Sequence, residues 1–467
     1  MINFNEAARP KLAPALDPQF IPAVLWNRAF LKAVAEAGDG VPFAVALERD
    51  GQQVAVYETK LFPDGKSKSH DEANFKYAER LVKALLWVKG GWKIVLGGSP
   101  AVGRKLQKAY SPGGIREFDA EFMRRVYEKE FTVELREYAN MPQQNEKTEA
   151  AGGYLDGCRI GFDAGGSDRK VAAVKDGEVL YSEETVWHPK TMADPDYHYE
   201  GILDSVKRAA EYLPRVDAIG VSSAGIYINN RAMVASLFIK VPLDVFDEKV
   251  KDIYLRVAKE MGNVPLEVRN DGEVTALAGA SSLKDTNILG IAMGTSEAVG
   301  FVNEEGHLTG WLNELAFVPV DYNRQAMVDE WSGDYGCGVK YFSQDSVIKL
   351  APAAGIDLSD DLTPAEKLSE VQKLLEEGHQ GAREIFESIG RYLGYTIAHY
   401  GDFYEIKHLL ILGRVTSGRG GALILEHARE VLDAEFPELA GIQLHLPDES
   451  DRRVGQAIAA AGLTKIS

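Results

Sequence analysis

The stretch Gly161-Phe-Asp-Ala-Gly-Gly-Ser-Asp-Arg-Lys170 places an acid, two glycines and a hydroxyl between apolar segments at Cys158–Phe162 and Val171–Val174. Glycine reaches φ > 0 and lets backbone N–H groups converge on an anion with no Cβ in the way. Gly165, Gly166 and Ser167, followed by Lys170, therefore suit phosphate oxygens. Asp163, at the end of the entering strand, suits Mg²⁺, which takes oxygen ligands and keeps several of its waters. An ordinary hairpin with a flexible turn accounts for the segment equally well when it is taken alone.

Similar chemistry recurs further along the chain. Gly294-Thr295-Ser296 lies between a strand at Ile288–Ala292 and its return at Phe301–Asn303. Two such hairpins together suit the β- and γ-phosphates of one nucleotide. The turn Gly413–Gly418 follows His408–Leu412 and admits an adenosine moiety where larger side chains would collide. Asp271, at the exit of a strand over Leu266–Arg269, suits the carboxylate that orients and deprotonates an attacking hydroxyl in phosphoryl transfer. The same aspartate also suits a helix cap ahead of Glu273, and Asn270-Asp271-Gly272 is good turn chemistry.

The elements that must position these residues read as α/β. From Cys158 onward short apolar strands end in glycine- or hydroxyl-rich turns: the hairpin just described, turning again at Lys175-Asp-Gly177 into Glu178–Tyr181, then Ala218–Val221 with its exit Ser222-Ser223-Ala-Gly225. In open α/β sheets ligands bind where strands end in such turns, so the pattern predicts two lobes, 155–275 with a C-terminal helix at 450–467, and 276–449, sharing one nucleotide cleft. Residues 1–140 read as a small α+β domain of open role. It carries a hairpin at Phe43–Leu47 and Val54–Tyr57, a helix at Tyr77–Val88 and a strand at Trp92–Leu96 running into Gly97-Gly98 and a helix at Val102–Tyr110. Between them, 141–154 is polar and punctuated by proline and glycine, as a linker is.

Composition narrows the partners. The chain has 467 residues, 70 acidic against 52 basic, and a formal net charge of −18, so no basic surplus exists to engage nucleic acid or an anionic membrane. A small ligand is the expected partner. Cys158 and Cys337 cannot make a disulfide framework, the N-terminus lacks the charged-then-apolar order of a signal peptide, and no apolar run reaches membrane-spanning length. These features lead us to expect a cytoplasmic protein.

Taken in order, Asp163-Ala-Gly-Gly-Ser167, Ser223-Ala-Gly225, Asn270-Asp271, Gly294-Thr-Ser296, Gly310-Trp-Leu-Asn-Glu314 and Leu412-Gly413 resemble the motifs of the ROK family, the repressor, open-reading-frame and kinase group of the sugar-kinase and actin-like ATPase superfamily. The resemblance covers about residues 155–467. It implies two RNase-H-like lobes closing over ATP and a sugar, with Mg²⁺, the first and fourth motifs gripping phosphates, and Asp271 acting as base toward a sugar hydroxyl. It further implies that Asn270 touches the sugar and that Glu314 is the family's conserved glutamate. Asn313 joins these as a substrate-side candidate, together with Trp311, Asp321, Tyr322, Trp331 and Asp334, although a loop packed by its own aromatics explains them as well.

Departures from the family pattern fall on the acceptor side. Phe317 stands where the family has histidine, Val339 where it has a second glutamate, and Ser236 where an asparagine often contacts sugar. The cysteine-rich zinc run survives only as Glu330-Trp-Ser-Gly-Asp-Tyr-Gly-Cys337, and one thiolate does not close a structural zinc site. Zinc is therefore not expected. Residues 1–140 show no helix-turn-helix order, which argues against a DNA-binding repressor. Two function classes stay open: an ATP-dependent sugar kinase, and a nucleotide- or sugar-binding regulatory protein without turnover. Related kinases are often dimers, which makes a homodimer a further expectation.

Overall fold

The computed structural model describes residues 3–150, 152–447 and 449–466, with side chains of 449–454 left aside. The chain forms two compact units. One contains residues up to Lys147, Ala292–Glu297 and Trp311–Leu446; the other contains Thr148–Ile291, Ala298–Gly310 and the stretch from Pro447 onward.

In the first unit, β1 (Val41–Glu48), β2 (Val54–Leu61), β3 (Lys93–Gly97) and β4 (Thr132–Arg136) form a sheet in the order β2-β1-β3-β4. This is the α+β content expected of the first 140 residues. The expected helix at Tyr77–Val88 is longer, Lys68–Lys89, because Ser67 caps it upstream by accepting from the His70 N–H at 3.3 Å. Its apolar face, including Leu81, Leu85, Leu86 and Trp87, is buried.

The second unit is built on β5 (Cys158–Ala164), β6 (Asp168–Lys175), β7 (Glu178–Val186), β8 (Ala218–Ser223), β9 (Ile226–Ile228), β10 (Arg231–Val234) and β11 (Leu266–Asn270). β9 and β10 pair separately, and the main sheet runs β11-β8-β5-β6-β7. β5, β6 and β7 are an antiparallel meander, while β8 runs parallel to β5 and β11 parallel to β8. One face packs Ile160, Phe162, Val171, Ile219 and Val221 against Trp187, Ile202, Val206, Phe238 and Tyr254. The other carries the helix Glu449–Ala461, which lies so close that a Cβ on Gly161 or Gly220 would stand 1.7 Å from the carbonyl oxygen of Ala457 or Ala460. Those two strand glycines are there for backbone contact.

β12 (Ile288–Met293) and β13 (Glu297–Val302) flank the Gly294 turn, and in the first unit β14 (His408–Leu412) pairs in parallel with β15 (Gln443–His445). β13 begins at Glu297, four residues ahead of the expected return at Phe301. The reason is packing: Gly300 and Val299 lie against the first turn of the helix Asp271–Leu283 and are held extended there. The stretch 141–154 pairs its backbone at Asn145 with Val54 and at Glu149 with Leu308. No helix among the described residues is long and apolar enough to cross a membrane.

Candidate active site

In the second unit, the acid at the end of β5 sits where the sheet register brings three chemical groups together. Asp163 lies opposite Lys170 on β6 and opposite Ser222 on β8. It is 4% exposed, and its Oδ1 accepts from the Ser222 hydroxyl at 2.8 Å. Burial pushes its carboxyl up to about 6; Lys170 and Ser222 pull it down, and Asp271 and Asp168 push it further up. Lys170 is committed locally, its Nζ 3.0 Å from Asp168 Oδ1.

Gly165, Gly166 and Ser167 form the turn between β5 and β6. Trp187, just past β7, pins it: the indole N–H donates to the Gly165 carbonyl at 2.8 Å and the Trp187 backbone N–H to the Ser167 carbonyl at 3.1 Å. The Ser167 hydroxyl donates to Asp168 at 3.0 Å.

Asn270 and Asp271 divide the two readings left open by their residue types. The helix begins at Asp271, and the cap is Asn270, whose Oδ1 accepts from the Gly272 N–H at 2.7 Å while its Nδ2 donates to the Gly225 carbonyl at 2.8 Å. Asp271 is half-buried at the first helical position, and its Oδ1 accepts from the neighbouring Gly272 N–H at 3.1 Å. Burial raises its carboxyl above the ordinary range, against the pull of that N–H and of Lys190. Its place is fixed by backbone contact, since a Cβ on Gly300 would fall 2.1 Å from the Gly272 carbonyl oxygen.

Sequence reasoning missed Lys190. It sits on the short turn Pro189–Thr191, and the position of a Cβ on Gly166 is 3.3 Å from its Cε and 3.5 Å from its Nζ. Nothing in the local pattern marks it; only the fold brings it to the glycine turn. Ser236 lies on the turn Ser236–Phe238 of the same unit.

The remaining candidates lie in the first unit. Around Gly294 there is open space, the nearest atom to a Cβ there being Ser296 O at 3.8 Å, and Thr295 and Ser296 are exposed. Gly413 has φ 100° and leaves room for the Met293 carbonyl, which a Cβ would approach to 2.4 Å. Gly418 precedes the helix Arg419–Glu435, where the Arg419 N–H donates to Glu376 at 3.1 Å.

Asn313 and Glu314 hang from the C-terminal end of the helix Lys68–Lys89: their backbone N–H groups donate to the Val88 and Trp87 carbonyls, each at 3.0 Å. Those carbonyls are among the last four of the helix, which lack intrahelical partners. The Asn313 side chain accepts from the Tyr404 hydroxyl at 2.9 Å. Phe317 packs in an aromatic cluster, its ring centroid 4.2 Å from Trp87, 5.7 Å from Phe118 and 5.9 Å from Phe122.

A second group that sequence reasoning missed is Glu297. It is 3% exposed, its Oε2 has no hydrogen-bond partner, and Tyr400 stands 3.5 Å from Oε1. Burial pushes its carboxyl up to about 8, with the Glu314 charge adding to the rise.

The segment of the eroded cysteine run is held by charge. Asp334 accepts from Lys83 at 2.7 Å, from Arg116 at 2.8 Å, and from both terminal nitrogens of Arg80 at 2.7 and 3.2 Å. Asp321 accepts from the Ile21 and Asn323 N–H groups and from the Tyr341 hydroxyl. Cys337 is buried, its thiol pushed up to about 11 by burial.

A meander followed by parallel strands, with glycine and acidic turns at the strand ends, defines the fold class of the sugar kinases and actin-like ATPases. The sequence model of the ROK family matches residues 159–435, more than half of the chain, and the protein belongs to that family. It shares its fold with the ROK hexokinase of Thermus thermophilus, at 17% identity and a TM-score of 0.51 over 66% of this chain and 97% of that one. The ROK family glucokinase of Streptomyces griseus, solved with glucose and AMPPNP, matches at 19% identity and the same TM-score over 66% and 99%. A ROK family transcriptional regulator, a homologue of the E. coli MLC protein, matches at 18% identity and a TM-score of 0.49 over 66% and 78%. No curated protein matches the chain.

Proposed function

We propose that this protein transfers the terminal phosphoryl group of ATP to a hydroxyl of a sugar or sugar-like molecule, with Asp271 as general base. The observation that carries this reading is the pairing, within one unit, of a buried Asp163 at the glycine turn with an Asp271 that Asn270 relieves of capping, near enough for the Asp271 charge to raise the Asp163 carboxyl.

The residues fit the groups the reaction needs. Gly165, Gly166 and Ser167 form a turn whose backbone suits phosphate oxygens, and Asp163 offers one carboxylate to Mg²⁺. Among the described residues no cluster of three or more His, Cys, Asp or Glu side chains is poised for a metal, so water and phosphate would complete the coordination. Bound there, the ion would neutralise phosphate charge. Asp271 takes the proton of the acceptor hydroxyl. Asn270, with its Oδ1 and Nδ2 held by Gly272 and Gly225, has its second amide hydrogen left for the acceptor.

For the first unit the reading rests on the family's motif order. Gly294, Thr295 and Ser296 serve phosphate, Gly413 and Gly418 the nucleoside, and Glu314 the acceptor. A regulatory protein without turnover is the second reading, and what favours it is the commitment of acceptor-motif groups to packing: Asn313 to Tyr404, and Phe317 to Trp87.

Purified protein assayed with Mg·ATP and a panel of sugars, amino sugars and sugar acids separates the two. Under the kinase reading Asp271→Asn lowers kcat by ~10³-fold, within the range for loss of a general base, and keeps nucleotide affinity. Unchanged turnover in that variant removes Asp271 from the role. Nucleotide binding with no transfer to any acceptor selects the regulatory reading.

A further inference from the structure

We propose that Lys190 is a second catalytic residue of this site, the cation that holds the transferring phosphoryl group of ATP. The assignment deepens the kinase reading and rests on it.

Phosphoryl transfer needs a positive group where charge gathers on the transferred oxygens, between the phosphate turn and the base. Lys190 meets that requirement from both sides. Its Cε and Nζ lie 3.3 and 3.5 Å from the Cβ position of Gly166, so the amine stands against the glycine turn. Its charge also acts on Asp271, lowering that carboxyl against the rise that burial causes. Lys170, on β6 beside the glycine turn, has its ammonium on Asp168 and lies opposite Asp163 in register.

The turn that carries Lys190 is built to travel with the phosphate turn. Trp187, three residues earlier, donates from its indole to Gly165 O and from its backbone to Ser167 O. The neighbouring His188 N–H donates to the Tyr197 hydroxyl at 3.1 Å. The Pro189 carbonyl sits 3.0 Å from Nε2 of His198, a side chain that is 0% exposed. Thr191 closes the turn by donating from its hydroxyl to the His188 carbonyl at 2.9 Å. The lysine stem thus leaves a backbone anchored to the Gly165–Ser167 turn on one side and to a buried histidine on the other.

In the step itself the bond between the terminal phosphorus and its bridging oxygen breaks, and that electron pair leaves with ADP. A new bond forms from the acceptor oxygen to the same phosphorus, and the acceptor proton passes to Asp271. Lys190 donates hydrogen bonds to the transferred oxygens throughout and keeps its own proton.

The test compares the unaltered full chain with Lys190→Met and Lys190→Arg, by calorimetric affinity for Mg·ATP and Mg·ADP and by kcat on the best acceptor. ADP lacks the group Lys190 holds. Lys190→Met is expected to lose about tenfold in ATP affinity with ADP affinity kept, the scale of one charge-assisted hydrogen bond, and to lose ~10²-fold in kcat with the acceptor KM little changed. Lys190→Arg keeps the charge and is expected to keep the preference for ATP over ADP. An unchanged ATP-to-ADP ratio in Lys190→Met, or an equal loss for both nucleotides, overturns the assignment and leaves the kinase reading standing. If the unaltered protein binds ATP without turnover, the kinase reading fails and the catalytic assignment fails with it, and the affinity comparison then reads only whether Lys190 holds the terminal phosphate. If it binds no nucleotide, the kinase reading fails and this assignment fails with it.

Discussion

Two buried carboxylates, one in the first family motif and one in the eroded cysteine run, have opposite surroundings. Asp334, in the first unit, is gripped by Arg80, Lys83 and Arg116. Burial alone would raise its carboxyl, but the three cations overcome that and hold it well below the usual range. Asp163, in the second unit, has one serine hydroxyl and a lysine shared with Asp168, and its carboxyl is pushed up to about 6. The first arrangement ties its acid into a network of the fold; the second leaves a buried acid with few partners for its charged form. A carboxylate saturated by protein cations has nothing left to offer a ligand, whereas one kept short of partners has.

The largest effect that would sharpen this contrast belongs to Asp334. Asp334→Ala leaves Arg80, Lys83 and Arg116 in a buried site with only Glu79 and Asp119 to balance them and is expected to lower stability by about 3 kcal/mol, the scale for breaking a buried ion pair. Chemical denaturation with the N-terminal tryptophans as reporters measures it. A loss below about 1 kcal/mol, the value of an exposed pair, would show that the network adds nothing to the fold.

Asp163 is expected to behave in the opposite way. Its folded carboxyl value of about 6 exceeds the ordinary 3.8, so the folded state binds a proton more tightly than the unfolded one. Stability from this group is therefore full below about pH 4 and is lost as pH rises through about 6, a loss on the order of 3 kcal/mol at pH 7. Asp163→Asn removes the titration. The variant is expected to melt higher than the unaltered protein at pH 7, to match it near pH 4, and to lose Mg²⁺-dependent nucleotide affinity. A variant that melts lower at pH 7 would place Asp163 with Asp334, as a structural carboxylate.

The same contrast explains what was legible in the sequence. The meander β5-β6-β7, the strand ends at Asp163 and Asn270, and the turns at Gly165 and Gly294 are local, marked by apolar runs and by glycines whose spacing sets the turn. Asp271 was legible by position, but its release from capping depended on the Asn270 side chain turning to Gly272. Lys190 was not legible, because it reaches the turn only through Trp187, a contact between residues 22 positions apart. Glu297 was hidden inside a turn expected to extend past it. The Asp334 network joins residues separated by 254 positions, and the packing of Phe317 on Trp87 likewise depends on how the first 140 residues fold.

The smallest expected effect tests how Asp163 is tuned. Ser222 reaches it because β8 runs parallel to β5 with the two residues in register, and its hydroxyl donates to Oδ1 at 2.8 Å. That bond favours the charged form, opposing the rise that burial imposes. Ser222→Ala removes the donor without changing the strand, at a cost of about 1 kcal/mol. The Asp163 carboxyl then moves above 6, and the pH at which the protein loses stability moves up with it. Melting curves between pH 4 and pH 8 read both changes. A lower melting temperature with an unmoved pH midpoint would mean that Ser222 packs the sheet without tuning the acid. A midpoint shifted upward, and abolished in the double variant with Asp163→Asn, assigns the shift to this one hydrogen bond.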